Sequence, residues 1–192
     1  MKKKLSGIVL ATSLLCTGTY ADDLHFKDGT KSLIAFETGF SSLDMDLPTV
    51  SGESESFANV GVKVGAETRN YRVFASFRYL AISDFDYATT VGLELQYLIN
   101  LSSSFNMFVG LNGGYANMKL ADSSNRTRTF SDPYYGADFG CNYHMNENFD
   151  LEVGVRVNTL DAENTLDAAG TYKLNNILGA YVGVVYKFDL DK

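Results

Sequence analysis

The chain has 192 residues, a formal net charge of −7, 45% hydrophobic residues, and no Trp. That acidity excludes nucleic acid as a partner, because a phosphate backbone would be repelled. With two cysteines, Cys16 and Cys141, it is neither a disulfide-stapled scaffold nor a cysteine metal cluster, and its length suits one domain.

The chain opens Met1, Lys2, Lys3, Lys4, continues with an apolar run over 8–15, and reaches Thr19-Tyr20-Ala21 before Asp22. This order predicts a secretory signal peptide over 1–21, cut after Ala21. The apolar run is too short to cross a bilayer as a helix. Leu15 precedes Cys16 where a lipoprotein box takes a small residue, so lipidation is not expected. Residues 22–192 form the mature domain, and losing three lysines takes its charge to −10. Cys141 then stands alone, and neither a metal site nor a cofactor is expected.

After the leader no run of about 18 apolar residues occurs, so no transmembrane helix is expected. A membrane form must then be a closed sheet, which pairs every backbone donor and acceptor without leaving an edge. Alternation of apolar and polar residues predicts eight strands, at 32–42, 57–67, 70–80, 88–99, 104–116, 134–144, 148–158 and 177–188. One face carries residues such as Phe36, Val60, Val62, Val73, Leu93, Val109, Val153, Val155 and Val182. The other carries Glu37, Lys63, Glu67, Arg72, Arg78, Glu94, Asp138, Glu152, Arg156 and Lys187, interleaved with glycines such as Gly61, Gly110 and Gly154. The fold expected is all-β: an eight-stranded antiparallel up-and-down transmembrane barrel, valines toward lipid and charges toward the axis. A soluble barrel with the faces inverted has the same period, so alternation alone leaves both open.

Two further patterns favour the membrane form. Aromatics cluster at the strand ends, with Tyr71, Tyr97, Phe105, Tyr143, Phe149, Tyr186 and Phe188 toward one rim. Phe40, Phe77, Tyr79, Tyr87, Tyr115 and Tyr135 lie toward the other, as expected of two interfacial girdles. The connections also alternate in length. Those after strands two, four and six are short, whereas 43–56, 81–87, 117–133 and 159–176 read as long polar loops. Short periplasmic turns, long external loops and an even strand count put both ends of the barrel on the periplasmic side.

The last strand reads Val182-Gly183-Val184-Val185-Tyr186-Lys187-Phe188. This alternating ending resembles the recognition signal of outer-membrane barrels. In pattern and length the mature chain resembles the small eight-stranded family that includes the transmembrane domain of outer membrane protein A and the opacity-type proteins. Asp189-Leu190-Asp191-Lys192 depart from that ending, since the aromatic usually sits at the terminus. The resemblance implies the outer membrane of a Gram-negative cell, lipid as surroundings, and the outer-membrane assembly machinery as a partner of the last strand.

Eight strands enclose an interior just wide enough for side chains to fill. The inward charges therefore read as a plugged polar core of opposite pairs, and the loops as the site of adhesion or recognition of an extracellular ligand. A narrow channel, a barrel enzyme acting on lipid A and a soluble ligand-carrying barrel are the alternatives. His144 lacks the neighbouring Ser of the deacylase pattern, so no catalytic residue is assigned. The acidic loop residues Asp44, Asp46, Glu53, Glu55, Asp161, Glu163 and Asp167 read as solvated. Asn125-Arg126-Thr127 matches a glycosylation sequon in form and reads as chance.

Overall fold

The computed structural model describes residues 30–46, 51–82, 85–120, 128–166 and 170–189. The leader and its cleavage point, Asn125-Arg126-Thr127, Asp167 and residues 190–192 lie outside the described residues, as do the side chains of Asp46, Glu53, Asp161 and Glu163.

Eight strands run in chain order: β1 Lys31–Asp46, β2 Ser51–Glu67, β3 Tyr71–Ala81, β4 Phe85–Asn100, β5 Phe105–Leu120, β6 Arg128–His144, β7 Phe149–Leu166 and β8 Gly170–Phe188. Each pairs antiparallel with its neighbours, and β8 pairs with β1 to close the barrel. Following paired residues once around gives Lys31, Glu67, Arg72, Gln96, Gly110, Asp138, Arg156, Gly179 and then Ser41. The circuit returns to β1 ten residues further along, from Lys31 to Ser41. Closure with that stagger requires tilted strands, roughly 35–45° in barrels of this kind, and sets a narrow interior.

The faces follow the alternation. Val60, Val73, Leu93, Val109, Val153, Val155 and Val182 are exposed, whereas Lys63, Arg72, Glu94 and Glu152 are at most 1% exposed. The outside of the barrel wall is thus apolar and the inside ionic, the inverse of a soluble barrel.

At the end with short turns, the strand ends lie within one residue of those expected. The other end differs. The segments 43–56, 117–133 and 159–176 are largely strand rather than loop, and β1, β2, β5, β6, β7 and β8 run four to eight residues beyond their expected limits. The cause is a second core. Leu43, Phe57, Leu80, Met118, Leu160 and Ile177 turn inward there and pack together, so pairing continues past the apolar band.

This upper part, the crown, is split. β2 pairs with β3 only from Ala58 down, because β3 stops at Ala81. The β6–β7 ladder begins at Tyr134 and Leu160, one residue below Pro133, which has no N–H to donate. Above those points the described ladders form two separate groups, β7–β8–β1–β2 and β4–β5–β6.

Candidate functional site: the filled lumen

The inward positions of eight strands converge on an interior that side chains can fill. Burying an ion there is tolerable only when opposite charges and hydrogen bonds surround it. Glu37, on β1, forms the hub. It pairs with Lys63 of β2 at 3.2 Å, with Arg156 of β7 at 3.1 Å, and with Arg78 of β3. Glu94 of β4 meets Arg78, Arg156 at 3.6 Å and Lys63 at 3.7 Å. Three cations thus interleave with Glu37, Glu94 and Glu152, the last 2.7 Å from Lys63.

Glu152 links this cluster to a second one nearer the short turns, through Arg72 Nη1 at 3.5 Å. Arg72 also binds Glu67 and Asp150, and Lys187 closes the cluster at 2.9 Å from Asp150 and 3.9 Å from Glu67. The ion network is therefore continuous from Lys187 to Arg156. Asp138 is held differently. Its register partner is Arg156, but that guanidinium turns to Glu37 and Glu94 and lies 4.4 Å over the Tyr181 ring. Asp138 instead accepts hydrogen bonds from Asn112 Nδ2 at 3.1 Å and Gln96 Nε2 at 3.3 Å.

Glycine creates the room. A Cβ on Gly154 would lie 2.7 Å from Tyr181 Cζ, so the ring lies flat against bare backbone. A Cβ on Gly61 would meet Arg78 Cγ at 2.9 Å and Glu37 Cγ at 3.1 Å. The spacing of glycines among charges is therefore a packing pattern: small residues on one strand face large ones on the next.

Several interior residues lie outside the inward set that the alternation singles out. Leu33, Ala35, Phe74 and Val185 form one apolar patch, and Leu98, Phe108 and Tyr181 another. Lys63 Nζ sits 4.8 Å from the Phe74 ring and 5.3 Å from Tyr181, within cation–π range. Asp150, Asn106, Asn142 and His144 belong to the network as well. Their signal was present in the sequence as inward register, since each lies an even number of residues from an assigned inward position. Above the ions a cavity of ≈ 30 Å³, lined by Ser41, Asn59, Thr90, Asn158 and Tyr181 among others, separates the network from the crown core. It has room for a water or two.

On the outer surface, the residues expected at the short-turn rim contact one another. Tyr71 and Tyr97 are register partners with rings 5.3 Å apart. Phe149, Tyr186 and Phe188 follow at 5.0 and 5.7 Å, and Phe105 is paired with Tyr143. Phe105 and Phe188 are half-buried, the others exposed. Toward the crown, Phe40, Phe77, Tyr79, Tyr87, Tyr115 and Tyr135 are all exposed, Phe40 the most at 76%. Cys141 is half-buried on the outward face of β6. Among the described residues, no group of three or more His, Cys, Asp or Glu is arranged to hold a metal ion.

Comparison with known proteins completes the picture. Residues 7–188 match the family described as outer membrane protein beta-barrel domain. Comparison with curated proteins returns no matching relative. Among solved structures, Neisserial surface protein A superposes with a TM-score of 0.68 at 15% identity, covering 84% of this chain and 100% of that one. The attachment invasion locus protein of Yersinia pestis, solved with the heparin analogue sucrose octasulfate, gives 0.50 at 13% identity, covering 82% and 99%. At these identities the likeness is one of fold.

Proposed function

The chain belongs to the outer membrane protein beta-barrel family and resides in the outer membrane, and from that premise we propose that it is a closed, non-enzymatic scaffold that presents its crown for adhesion or recognition. The observation that carries this reading is the filled lumen: Glu37, Lys63, Arg72, Arg78, Glu94, Glu152 and Arg156 are buried against one another, with the crown core above them and Leu33, Ala35, Phe74 and Val185 among them. A conducting path would have to displace paired ions from a low-dielectric interior. Against catalysis stands His144. Both its ring nitrogens are engaged, by Asp150 and by Asn106, which leaves neither free to activate a nucleophile.

In this reading the two aromatic sets lie at the two interfaces and Val153, Val155 and Val157 face acyl chains. Residues 1–21 direct export, and the ending at Phe188 is read by the assembly machinery. The crown is the part of the chain available outside the cell, on a rigid support. The segments 43–56, 81–87, 117–133 and 159–176 hold eleven acidic and four basic residues. That balance favours a cationic partner surface over a polyanion of the kind bound by the Yersinia protein.

Conductance across a planar bilayer is the direct test. The folded barrel is expected to give no stable current, and a large, steady single-channel current overturns the scaffold reading. Excision of 121–127 is expected to reduce adherence of expressing cells while the barrel still migrates as a folded, heat-modifiable band. Unchanged adherence counts against recognition through that segment.

A further inference from the structure

Five side chains at the short-turn mouth form a closed ring of hydrogen bonds. Arg72 Nη1 donates to Asn142 Oδ1 at 2.8 Å, and Asn142 Nδ2 donates to Asn106 Oδ1 at 2.8 Å. Asn106 Nδ2 meets His144 Nε2 at 3.2 Å, and His144 Nδ1 meets Asp150 Oδ1 at 2.7 Å. Asp150 Oδ2 returns to Arg72 Nη2. The ring joins β3, β5, β6 and β7 across the mouth.

Its two ends set the direction of every bond. A guanidinium can only donate, so Asn142 must turn its oxygen to Arg72 and its amide N–H to Asn106. Asn106 then presents its own N–H to the imidazole, which must accept at Nε2. A carboxylate can only accept, so the imidazole proton sits on Nδ1 and points at Asp150. The geometry therefore places the proton of a neutral His144 ring on Nδ1.

We propose that this ring is a proton-binding latch on the periplasmic mouth. A proton arriving on His144 Nε2 faces the N–H of Asn106. Rotating that amide turns N–H toward the N–H of Asn142, and rotating Asn142 turns N–H toward Arg72, which has nothing to accept with. No set of amide rotations restores the ring, so protonation opens it. The charged groups around the imidazole are Asp150 on its own side of the ring, Arg72 from β3 and Lys187 from β8, with Glu67 of β2 and Glu152 of β7 binding Arg72. Asp150 attracts the imidazolium whereas Arg72 and Lys187 oppose it, so the ring polarity is the part that decides what the proton does to the structure. Opening frees Asn106 and Asn142 and leaves Arg72 tied only to its carboxylates, which loosens the β5–β6–β7 wall at the turn. An unperturbed imidazole changes charge between about pH 5 and 8.

The test is nitrogen NMR of the full-length folded barrel in lipid nanodiscs, taken from about pH 8 to about pH 5. At the upper end His144 is expected as the Nδ1–H tautomer. On acidification the side-chain amides of Asn106 and Asn142 are expected to shift with the same midpoint as the imidazole. An Nε2–H tautomer at the upper end overturns the proposal, as does an Asn142 signal that stays fixed while His144 titrates. The variant Asn106→Asp replaces the opposing donor with an acceptor. It is expected to move the His144 midpoint upward by at least about tenfold in proton concentration and to uncouple Asn142 from it. An unmoved midpoint in the folded variant refutes the ring as its cause. Should that variant not fold, the tautomer and the shared midpoint of the unaltered protein still decide.

Discussion

The spanning wall and the crown are built from the same strands, yet they are inside-out relative to each other. In the wall, Val60, Val62 and Val64 of β2 face outward and Lys63 faces the axis. A few residues along the same strand, Phe57 is the buried one and Ser56 is exposed. β1 does the same, with Glu37 buried in the wall and Leu43 buried in the crown between Ser42 and Asp44. From Glu37 to Leu43 and from Phe57 to Val64 the alternation keeps its phase; the medium outside changes. Where lipid is the solvent, apolar groups are stable outside and ions must pair within. Where water is the solvent, the usual hydrophobic preference returns. The facing of a soluble sheet, apolar in and polar out, thus describes the crown, while the facing of a membrane barrel describes the wall.

Substitutions that exploit this contrast sharpen it. The largest effect is expected at the hub of the wall. Glu37→Ala leaves Lys63, Arg78 and Arg156 short of their common partner and is expected to cost about 3–5 kcal/mol. Urea-dependent folding into vesicles measures it, and a near-neutral result would mean water reaches the network. Next is Val155→Arg on the lipid face, exposed at 46%, which is expected to cost roughly 2–4 kcal/mol if near the midplane. The same substitution at a crown position facing water, Ser56→Arg, is expected to change stability by less than about 0.5 kcal/mol. Equal losses at the two sites would erase the distinction between the regions.

A milder change tests whether the crown opens by itself. Ile177→Val trims the crown core and is expected to cost about 0.5–1.5 kcal/mol. Amide exchange should quicken in the crown strands and stay unchanged around Glu37, whereas a uniform acceleration would make the barrel a single cooperative unit. The smallest effect is expected for Lys31→Ala. Its pairing with Asp189, at 2.9 Å between half-exposed side chains, is expected to contribute less than about 1 kcal/mol and to fade with salt.

The contrast also explains what could be read in advance. Strand number, order and facing follow from alternation, because valines such as Val153 and Val155 flank a glycine that cannot face lipid usefully. The strand ends near the short turns are marked by Thr68, Asn100 and Asn146, polar residues at tight connections. The upper ends were not legible, because a search for the lipid-facing pattern stops where lipid stops. Leu43, Met118 and Leu160 fall in segments expected as loops, yet they belong to the crown core. Ion partners were hidden for another reason. Cross-strand register puts Asp138 beside Arg156, but a long guanidinium reaches past its register neighbour to whichever carboxylates lie across the lumen. Three-dimensional width decides that, and a one-dimensional pattern does not contain it.

Seven of the eight ladders join segments adjacent in the chain; the eighth brings Ser32 against Phe188. Local hairpins zip at little entropic expense, while that single seam must gather the first and last strands of the barrel. Until it forms, β1 and β8 each carry an unsaturated edge that hydrocarbon cannot solvate. Completion is thus all-or-none: a chain lacking its final strand has no closed state within a bilayer, and insertion must wait until β8 has been made.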